Sequence, residues 1–229
     1  MVADLRRHTG ARTGHAGTLD PFASGLLVLL SGGATRLAAC FVGLDKRYVT
    51  DVDLTATTTT GDPEGEILER HTAPTRTEVD ARLARLRGEV ELPIPAASAV
   101  KIGGERAYRL ARRGIAVEMP TRRSRVYALD VITYRDGAVR LGLHVSSGTY
   151  VRSIAAALGG HCGSLRRLAV GPFTVEEADP ERMIAPSEAL ARLSADAVSA
   201  VSAEVRRAVL ELELPVLSTG RAPAPGERP

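Results

Sequence analysis

Residues 14–25 read GHAGTLDPFASG, and the apolar run that begins at Gly25 continues to Leu30. A run of this length, bounded by small polar residues, is typical of a buried strand. The segment before it is rich in glycine and in residues that favour turns, which predicts a loop. Because proline disfavours the helical region for the residue before it, Asp20 is expected to be extended. The sequence therefore predicts a rigid loop that presents a carboxylate just before a core strand.

This loop is compatible with two roles. An aspartate on a rigid loop suits nucleophilic or acid–base chemistry, and Gly14 and Gly17 allow a ligand or another backbone to approach closely. An Asp-Pro turn, in which the Asp20 side chain accepts a hydrogen bond from the backbone, explains the same residues equally well. The loop alone leaves both roles open.

The composition restricts the class of protein. The chain has 229 residues, 44% of them hydrophobic, which is enough for one large domain or for a domain with an appendage. This excludes a disordered or collagen-like chain. Two cysteines, Cys40 and Cys162, cannot form a disulfide framework, and no Cys-x-x-Cys pair suggests zinc, so we expect a reduced intracellular protein. There is no run of about 18 apolar residues, so no membrane span is expected.

Arginine dominates the basic residues. Only Lys46 and Lys101 are lysines among the 30 basic residues, and the net charge is +3. Arginine suits a phosphate-rich partner such as nucleic acid, but a GC-rich coding sequence produces the same excess without functional meaning. Basic runs at 106–113, 122–125 and 166–167 are each typical of a solvated face, and together they favour a phosphate-rich partner.

The pattern along the chain predicts short helices and strands, with strands in the majority. Asp136-Gly137 is a strong hairpin signal, Thr77 is expected to cap a helix, and the sequence from Thr219 onward, TGRAPAPGERP, is expected to fray. We predict an α+β fold with a largely antiparallel sheet. Helices are predicted at 2–8, 34–42, 78–86, 105–113, 150–158 and 187–214, strands at 25–30, 47–57, 97–102, 125–134 and 139–145, and an extended segment at 165–176.

A second concentration of polar residues lies at 145–152, VSSGTYVR, where a strand is predicted to lead into a helix. A helix start favours anions. Arg152 is therefore placed to pair with the Asp20 carboxylate and to keep it ionised, although a solvated helix residue is the commoner interpretation of a single arginine. His71, His144 and His161 are not spaced as metal ligands, so no metal site is expected.

The segment 46–48 opens a predicted strand with two cations and a ring, Lys46-Arg47-Tyr48. Basic residues beside an aromatic ring form a small surface for stacking and phosphate binding. A strand-edge tyrosine with its hydroxyl in water is the more common role. The segment alone does not decide between the two.

Taken in order, several segments resemble the signature of the tRNA pseudouridine synthase B (TruB) family, over about residues 2–188. This ordered set of motifs is highly specific. The segments are Gly14–Gly25, Gly33-Ala-Thr-Arg36, Asp45-Lys-Arg-Tyr48, Ser98-Ala-Val-Lys101, Ala107–Arg112, Ser147-Gly-Thr-Tyr-Val-Arg152 and Leu165-Arg-Arg-Leu168.

The resemblance implies a pseudouridine synthase fold, with a mixed, mainly antiparallel central sheet flanked by helices. It also implies isomerisation of a uridine in the T-loop of tRNA, at position 55, to pseudouridine without cofactor or metal. It assigns roles to matching residues: Asp20 is the catalytic aspartate, Tyr48 packs on the target base and acts in the later proton removal, Arg152 pairs with Asp20, Tyr150 lines the pocket, and His15 helps to hold the T-loop open. We further expect Lys46, Arg47 and Lys101 to bind substrate and Arg109 and Arg112 to bind RNA.

Three departures from the family pattern shape the remaining expectations. Met1 lies 13 residues before Gly14, so we expect the usual first strand with its Lys-Pro segment to be absent. The stretch 53–60 replaces a Leu-Gly and a Thr-Asp pair, which puts contacts from that strand in doubt. We expect a catalytic domain at 1–186 and a helical extension with a Pro/Gly tail at 187–229, too short for a complete C-terminal RNA-binding domain.

The expected protein is a cytoplasmic monomer that acts on the T-arm of tRNA. A non-catalytic RNA-binding or tRNA-folding module on the same scaffold is the alternative, motivated by the short N-terminus. A nucleosidase that breaks the glycosidic bond without rejoining it is a weaker third hypothesis.

Overall fold

The computed structural model contains both helices and strands and describes residues 1–113, 115, 118–179, 182–211 and 219–222. The helices are α1 Val2–Thr9, α2 Ala38–Val42, α3 Arg76–Arg85, α4 Ala107–Arg112, α5 Val151–Ala157, α6 Pro186–Ala191, α7 Ala195–Ser199 and α8 Ala203–Leu210, and a 3₁₀ helix covers Gly32–Leu37. The strands are β1 Thr13–His15, β2 Ser24–Ser31, β3 Lys46–Asp53, β4 Ala56–Thr58, β5 Ile67–Arg70, β6 Gly88–Pro93, β7 Lys101–Ile102, β8 Glu105–Arg106, β9 Thr121–Arg135, β10 Ala138–Val145, β11 His161–Val170, β12 Phe173–Thr174 and β13 Thr219–Ala222.

The contacts divide the chain into two compact units. The first contains residues 1–48 and 166–229 as far as they are described, and the second contains 49–165. Strands β3 and β11 contribute residues to both units. The predicted division into a catalytic domain at 1–186 and an extension at 187–229 stays a prediction.

In the first unit, β2 is the central strand. It pairs antiparallel with β1 and with β13, and parallel with β11 through Arg166↔Ser24 and Arg167↔Gly25. Apolar residues of β2 form a core with α2 and the C-terminal helices. This core includes Leu26, Leu29, Leu30, Leu37, Phe41, Val170, Phe173, Leu190 and Val209.

In the second unit, the strand order is β11-β3-β10-β9-β6. Strands β9 and β10 pair antiparallel, as do β6 and β9. The buried residues of β10 alternate along the strand, as expected when one face of a sheet meets a core. The two short hairpins β4–β5 and β7–β8 also belong to this unit. The predicted α+β class, with a mixed and mainly antiparallel sheet flanked by helices, is confirmed.

The predicted hairpin at Asp136-Gly137 is confirmed. Arg135 pairs with Ala138 across a two-residue loop, and φ is 52° at Asp136 and 76° at Gly137. Two successive positive φ values match a type I′ turn, for which Asp-Gly is a preferred sequence. The predicted helices at 2–8 and 150–158 also form, with small shifts at their ends.

The predicted cap of α3 was wrong by two residues. Thr75, not Thr77, precedes the helix, and its hydroxyl accepts a hydrogen bond from Glu78 N (3.3 Å). The Glu78 carboxylate in turn accepts from Thr75 N (2.7 Å), which completes a capping box. The hydrogen bond from the Thr75 backbone N–H, followed by the one from its hydroxyl, holds the pKa of Glu78 below its usual value. The spacing Thr-x-x-Glu is the signal that selects Thr75.

Two predicted strands are shorter than expected. The strand predicted at 97–102 exists only as β7, because its backbone bonds instead to the start of α4, where Ala107 N donates to Val100 O (2.7 Å). The strand predicted at 47–57 ends at Asp53. There the carboxylate accepts from both N and Oγ1 of Thr55 (2.7 and 2.6 Å), which turns the chain before β4.

The predictions for helices were wrong in three places. The segment 34–42 begins as a 3₁₀ helix, and the helix expected at 105–113 starts only at Ala107. The long helix predicted at 187–214 is three short ones, because Ser194 and Ser202 cap new helices within it.

The predictions for the C-terminal part of the chain had mixed outcomes. The extended segment predicted at 165–176 contains β12 and most of β11. The tail expected to fray contains β13, while 223–229, like 212–214 at the end of the predicted helix, lies outside the described residues.

Candidate active site

The loop between β1 and β2 carries Asp20 on a tight turn. Ala23 N donates to Asp20 O (2.9 Å), so residues 20–23 form a β-turn. Pro21 occupies its second position, where the fixed φ of proline is favoured. Phe22 is buried and anchors the turn, whereas Asp20 is partly exposed. The turn thus holds the backbone firmly while it leaves the carboxylate-bearing residue accessible.

Gly25 is required by the strand that packs beside this loop. It has a φ of 104°, and a Cβ at this position would lie 2.1 Å from the carbonyl oxygen of Arg167. Only glycine combines this φ with so close a backbone approach. The parallel pairing of β2 with β11 therefore explains the glycine that ends the sequence quoted at the start.

Tyr48 lies in the first unit, close to Asp20. Its side chain is half-buried, and its hydroxyl hydrogen-bonds to the Arg167 guanidinium. Burial raises the pKa of Tyr48, the positive charge of Arg167 lowers it, and the negative charge of Asp20 raises it again. The charges of Asp20 and Arg167 both act on the Tyr48 phenol, so these three side chains form one interacting group.

Arg167 is buried, with 2% of its surface exposed. Its Nε donates to Leu26 O (2.7 Å), its Nη1 to Thr18 O (3.3 Å) and its Nη2 to Gly17 O (3.1 Å). The prediction of a solvated basic run at 166–167 was therefore wrong for Arg167. The missed signal is the two-residue period of β11, on which every second side chain faces the core.

The cations near Tyr48 differ in their exposure. Lys46 is buried, and its Nζ donates to Val42 O (2.6 Å) and Leu44 O (2.5 Å), at the end of α2. Burial, with the charge of a neighbouring guanidinium, lowers the pKa of Lys46 to about 8. These contacts give Lys46 a structural role, and its contact with substrate stays a prediction. Arg47 and His15 are exposed.

Arg152, in the second unit, is buried as well. Its Nη1 donates to Thr60 O (2.8 Å) and lies 3.3 Å from Asp62 Oδ2, and its Nη2 donates to Ala97 O (2.9 Å). The interpretation of Arg152 as a solvated helix residue was therefore wrong. Its pairing with Asp20 stays a prediction.

Asp62 is a residue that the sequence analysis missed. It is buried beside Arg152, and its carboxylate accepts hydrogen bonds from Thr60 Oγ1 (2.5 Å) and from Glu64 N (3.1 Å). The preceding Gly61 has a φ of 73°, so the chain turns sharply here. The available signal was the turn sequence Gly-Asp-Pro.

The other predicted residues of the second unit lie on different elements. Tyr150 is the N-cap residue of α5 and is partly exposed. Lys101, on β7, and Arg109, on α4, are exposed, and the Arg109 guanidinium lies 5.9 Å from the centre of the Tyr108 ring. Arg112 ends α4, and its side chain lies outside the described residues. Contacts of these residues with substrate or RNA stay predictions.

Most of these site residues lie in a region that matches a known protein family. The family described as TruB family pseudouridylate synthase (N terminal domain) matches residues 6–151, more than half of the chain. The chain belongs to this family. The match includes Asp20 and Tyr48 and ends one residue before Arg152.

Named members of the TruB family match along most of the chain. The tRNA pseudouridine synthase B of Mycobacterium sp. (strain KMS) is 40% identical over 238 residues, which cover 98% of this chain and 80% of that protein. The protein of the same name from Thermobifida fusca (strain YX) is 45% identical over 195 residues, with 78% and 67% covered.

A solved structure shares the TruB fold of this chain. A chain of a crystallised Cbf5-Nop10-Gar1 complex matches with a TM-score of 0.57 and 26% identity, over 76% of this chain. This chain spans 45% of the length of that chain.

Among residues 1–113, 115, 118–179, 182–211 and 219–222, no group of three or more His, Cys, Asp or Glu side chains is arranged to hold a metal ion. Within the same residues, no helix has the length and apolar character needed to cross a membrane.

Proposed function

We propose that this TruB-family chain converts the uridine at position 55, in the T-loop of tRNA, to pseudouridine, with Asp20 as the catalytic aspartate. The observation that carries the proposal is that Asp20 lies close to Tyr48 and that both residues belong to motifs of the family. The chain is also 40% identical, over 98% of its length, to a tRNA pseudouridine synthase B.

The reaction is an isomerisation, so its atoms balance without a further reactant. The bond between N1 of the base and C1′ of the ribose breaks, the base rotates, and a bond forms between C5 and C1′. The proton on C5 leaves, and N1 finishes with a proton. A base inside a folded loop must be extruded first, at a cost of a few kcal/mol, and an aromatic ring compensates by stacking on it.

The local geometry supports a distinct task for each residue. Asp20 is the nucleophile, at the sugar or at the base, and its turn holds it in place for attack. Tyr48 packs on the target base, and its hydroxyl is held by Arg167. By the family resemblance, Arg152 pairs with Asp20, Tyr150 lines the pocket and His15 holds the T-loop open.

The proposal includes the setting of the enzyme. The T-arm is the partner, bound through the exposed cations Arg47, Lys101 and Arg109 and through Arg112. The enzyme acts as a monomer in the cytoplasm. Residues 1–186 form its catalytic domain and 187–229 its extension.

The test is tritium release from a T-arm stem-loop that carries [5-³H]uridine at position 55. We expect release from the wild type and a decrease of roughly 10⁴-fold or more in Asp20→Asn and Asp20→Ala, because loss of a nucleophile removes the chemical step. Asp80→Asn, an exposed carboxylate of α3 paired with Arg76, is the matched control and should match the wild type.

The alternatives give different results in the same assay. Wild-type protein that binds the stem-loop without releasing tritium would support a non-catalytic RNA-binding module. Free uracil among the products would support a nucleosidase. Full activity in Asp20→Ala would exclude Asp20 as the nucleophile.

A further inference from the structure

The buried guanidinium of Arg167 connects the loop that carries Asp20 with the side chain of Tyr48. Arg167 donates to the carbonyls of Gly17 and Thr18, three and two residues before Asp20, and hydrogen-bonds to the Tyr48 hydroxyl. Arg167 belongs to the Leu165–Leu168 motif and to the basic run at 166–167, but neither pattern predicted a role for it beside Asp20 and Tyr48. One side chain therefore contacts both the loop that carries the carboxylate and the ring beside it.

The chemistry of arginine suits this position. A guanidinium is planar and presents five N–H donors in a fixed fork, so it can hold several acceptors in one geometry. Arg167 directs Nε to the Leu26 carbonyl on β2 and the two terminal nitrogens to the loop. Lysine would keep the charge but would present its donors from one flexible point.

The backbone of Arg167 is fixed as firmly as its side chain. It pairs in parallel with Gly25, where a Cβ would come within 2.1 Å of the Arg167 carbonyl oxygen. The guanidinium thus extends from a strand whose backbone is paired with β2 and packed closely against it. If the Asp20 loop moves relative to Tyr48, the Arg167 guanidinium loses at least one of its hydrogen bonds.

We propose that Arg167 is a positioning residue: it holds the Gly17–Thr18 backbone and the Tyr48 hydroxyl, and so sets the distance between the Asp20 carboxylate and the ring on which the target base packs. The inference rests on the proposed function and adds to it a residue that acts through Asp20 and Tyr48. A misplacement of about 1 Å at a reacting group lowers a rate roughly 10²-fold, which gives the scale of the expected effect.

The experiment compares Arg167→Lys and Arg167→Met with the wild type. Arg207→Met is the control, because it removes the same charge from an exposed site on α8, where Arg207 lies 3.9 Å from Glu211. Three quantities are measured: the single-turnover rate of tritium release per folded molecule, the Kd of the T-arm stem-loop, and the pKa of Tyr48 from tyrosinate absorbance, with Tyr48→Phe as the blank.

We expect both Arg167 variants to lose roughly 10²-fold in the single-turnover rate while the Kd stays within about threefold of the wild type. Arg167 lowers the Tyr48 pKa in the wild type, so that pKa should rise in Arg167→Met. Arg207→Met should match the wild type in all three measurements. A purely structural role would lower the stability without changing the rate per folded molecule.

Each other outcome is informative. An unchanged rate per folded molecule in Arg167→Lys overturns the inference, and this variant decides alone if Arg167→Met does not fold. A weaker Kd at an unchanged rate also overturns it, because Arg167 would then serve binding. No tritium release from the wild type would overturn the proposed function instead, and the tyrosinate titration, which needs no RNA, would still test the hold of Arg167 on Tyr48.

Discussion

Arg152 and Asp62 form an ion pair inside the second unit, with side chains only 2% and 5% exposed and 3.3 Å between Nη1 and Oδ2. Burial of two charges is costly, and such a pair persists only when hydrogen bonds satisfy the remaining groups. The carbonyls of Thr60 and Ala97 do this for Arg152. Removal of one partner would leave the other charge buried without compensation.

Asp62→Ala should therefore lower the free energy of unfolding by about 3–5 kcal/mol, which is the usual cost of breaking a buried pair. Urea unfolding followed by circular dichroism measures this. Asp80→Ala breaks the exposed Arg76–Asp80 pair on α3 and should cost no more than about 0.5 kcal/mol. Equal effects of the two substitutions would show that Asp62 does not compensate a buried charge.

At the residue scale, the neighbouring sequence was enough to predict the role of some residues but not the burial of others. Asp20 could be found because Pro21 and the flanking glycines fix its backbone from neighbouring positions alone. Arg167 and Asp62 could not, because their burial depends on segments far away in sequence. The Leu26 carbonyl that binds Arg167 lies 141 residues before it, and Thr60 and Asp62 lie about 90 residues before Arg152.

At the scale of elements, α3 shows how a cap fixes where a helix begins. Thr75 and Glu78 exchange hydrogen bonds at its first turn, and Val79 and Leu83 are buried on its inner face. Thr75→Ala should cost about 1 kcal/mol of stability, because it leaves a backbone N–H without its acceptor. Thr77→Ala, an exposed neighbour, should change the stability by less than about 0.5 kcal/mol.

Thermal unfolding of the two threonine variants measures this difference. A larger loss in Thr77→Ala would restore the cap that the sequence analysis first assigned.

Elements that depend on adjacent residues, such as the Asp136-Gly137 hairpin, were predicted correctly. The strand expected at 97–102 was not, because Ala107 N takes the acceptor that a neighbouring strand would have used.

At the scale of the whole molecule, the arginine excess divides into different classes. Arg152 and Arg167 are buried and neutralise or hold groups inside the protein. Others are paired at the surface, as Arg76 is with Asp80 and Arg113 is with Glu105 (2.6 Å). Composition alone could not separate these classes, because the net charge of +3 counts a buried arginine and an exposed one alike. Only the exposed arginines are able to contribute to the attraction between protein and RNA.

The salt dependence of RNA binding tests whether α4 belongs to that attractive surface. Each phosphate contact releases counterions and adds roughly 0.7–0.9 to the slope of log Kd against log salt concentration. If Arg109 and Arg112 each contact a phosphate, the double variant Arg109→Ala/Arg112→Ala should flatten the slope by roughly 1.4–1.8, measured by fluorescence anisotropy with a labelled T-arm stem-loop. Arg76→Ala, whose charge is already paired with Asp80, should leave the slope unchanged. A double variant with the wild-type slope would remove α4 from the RNA interface, because a lost phosphate contact cannot leave counterion release unaltered.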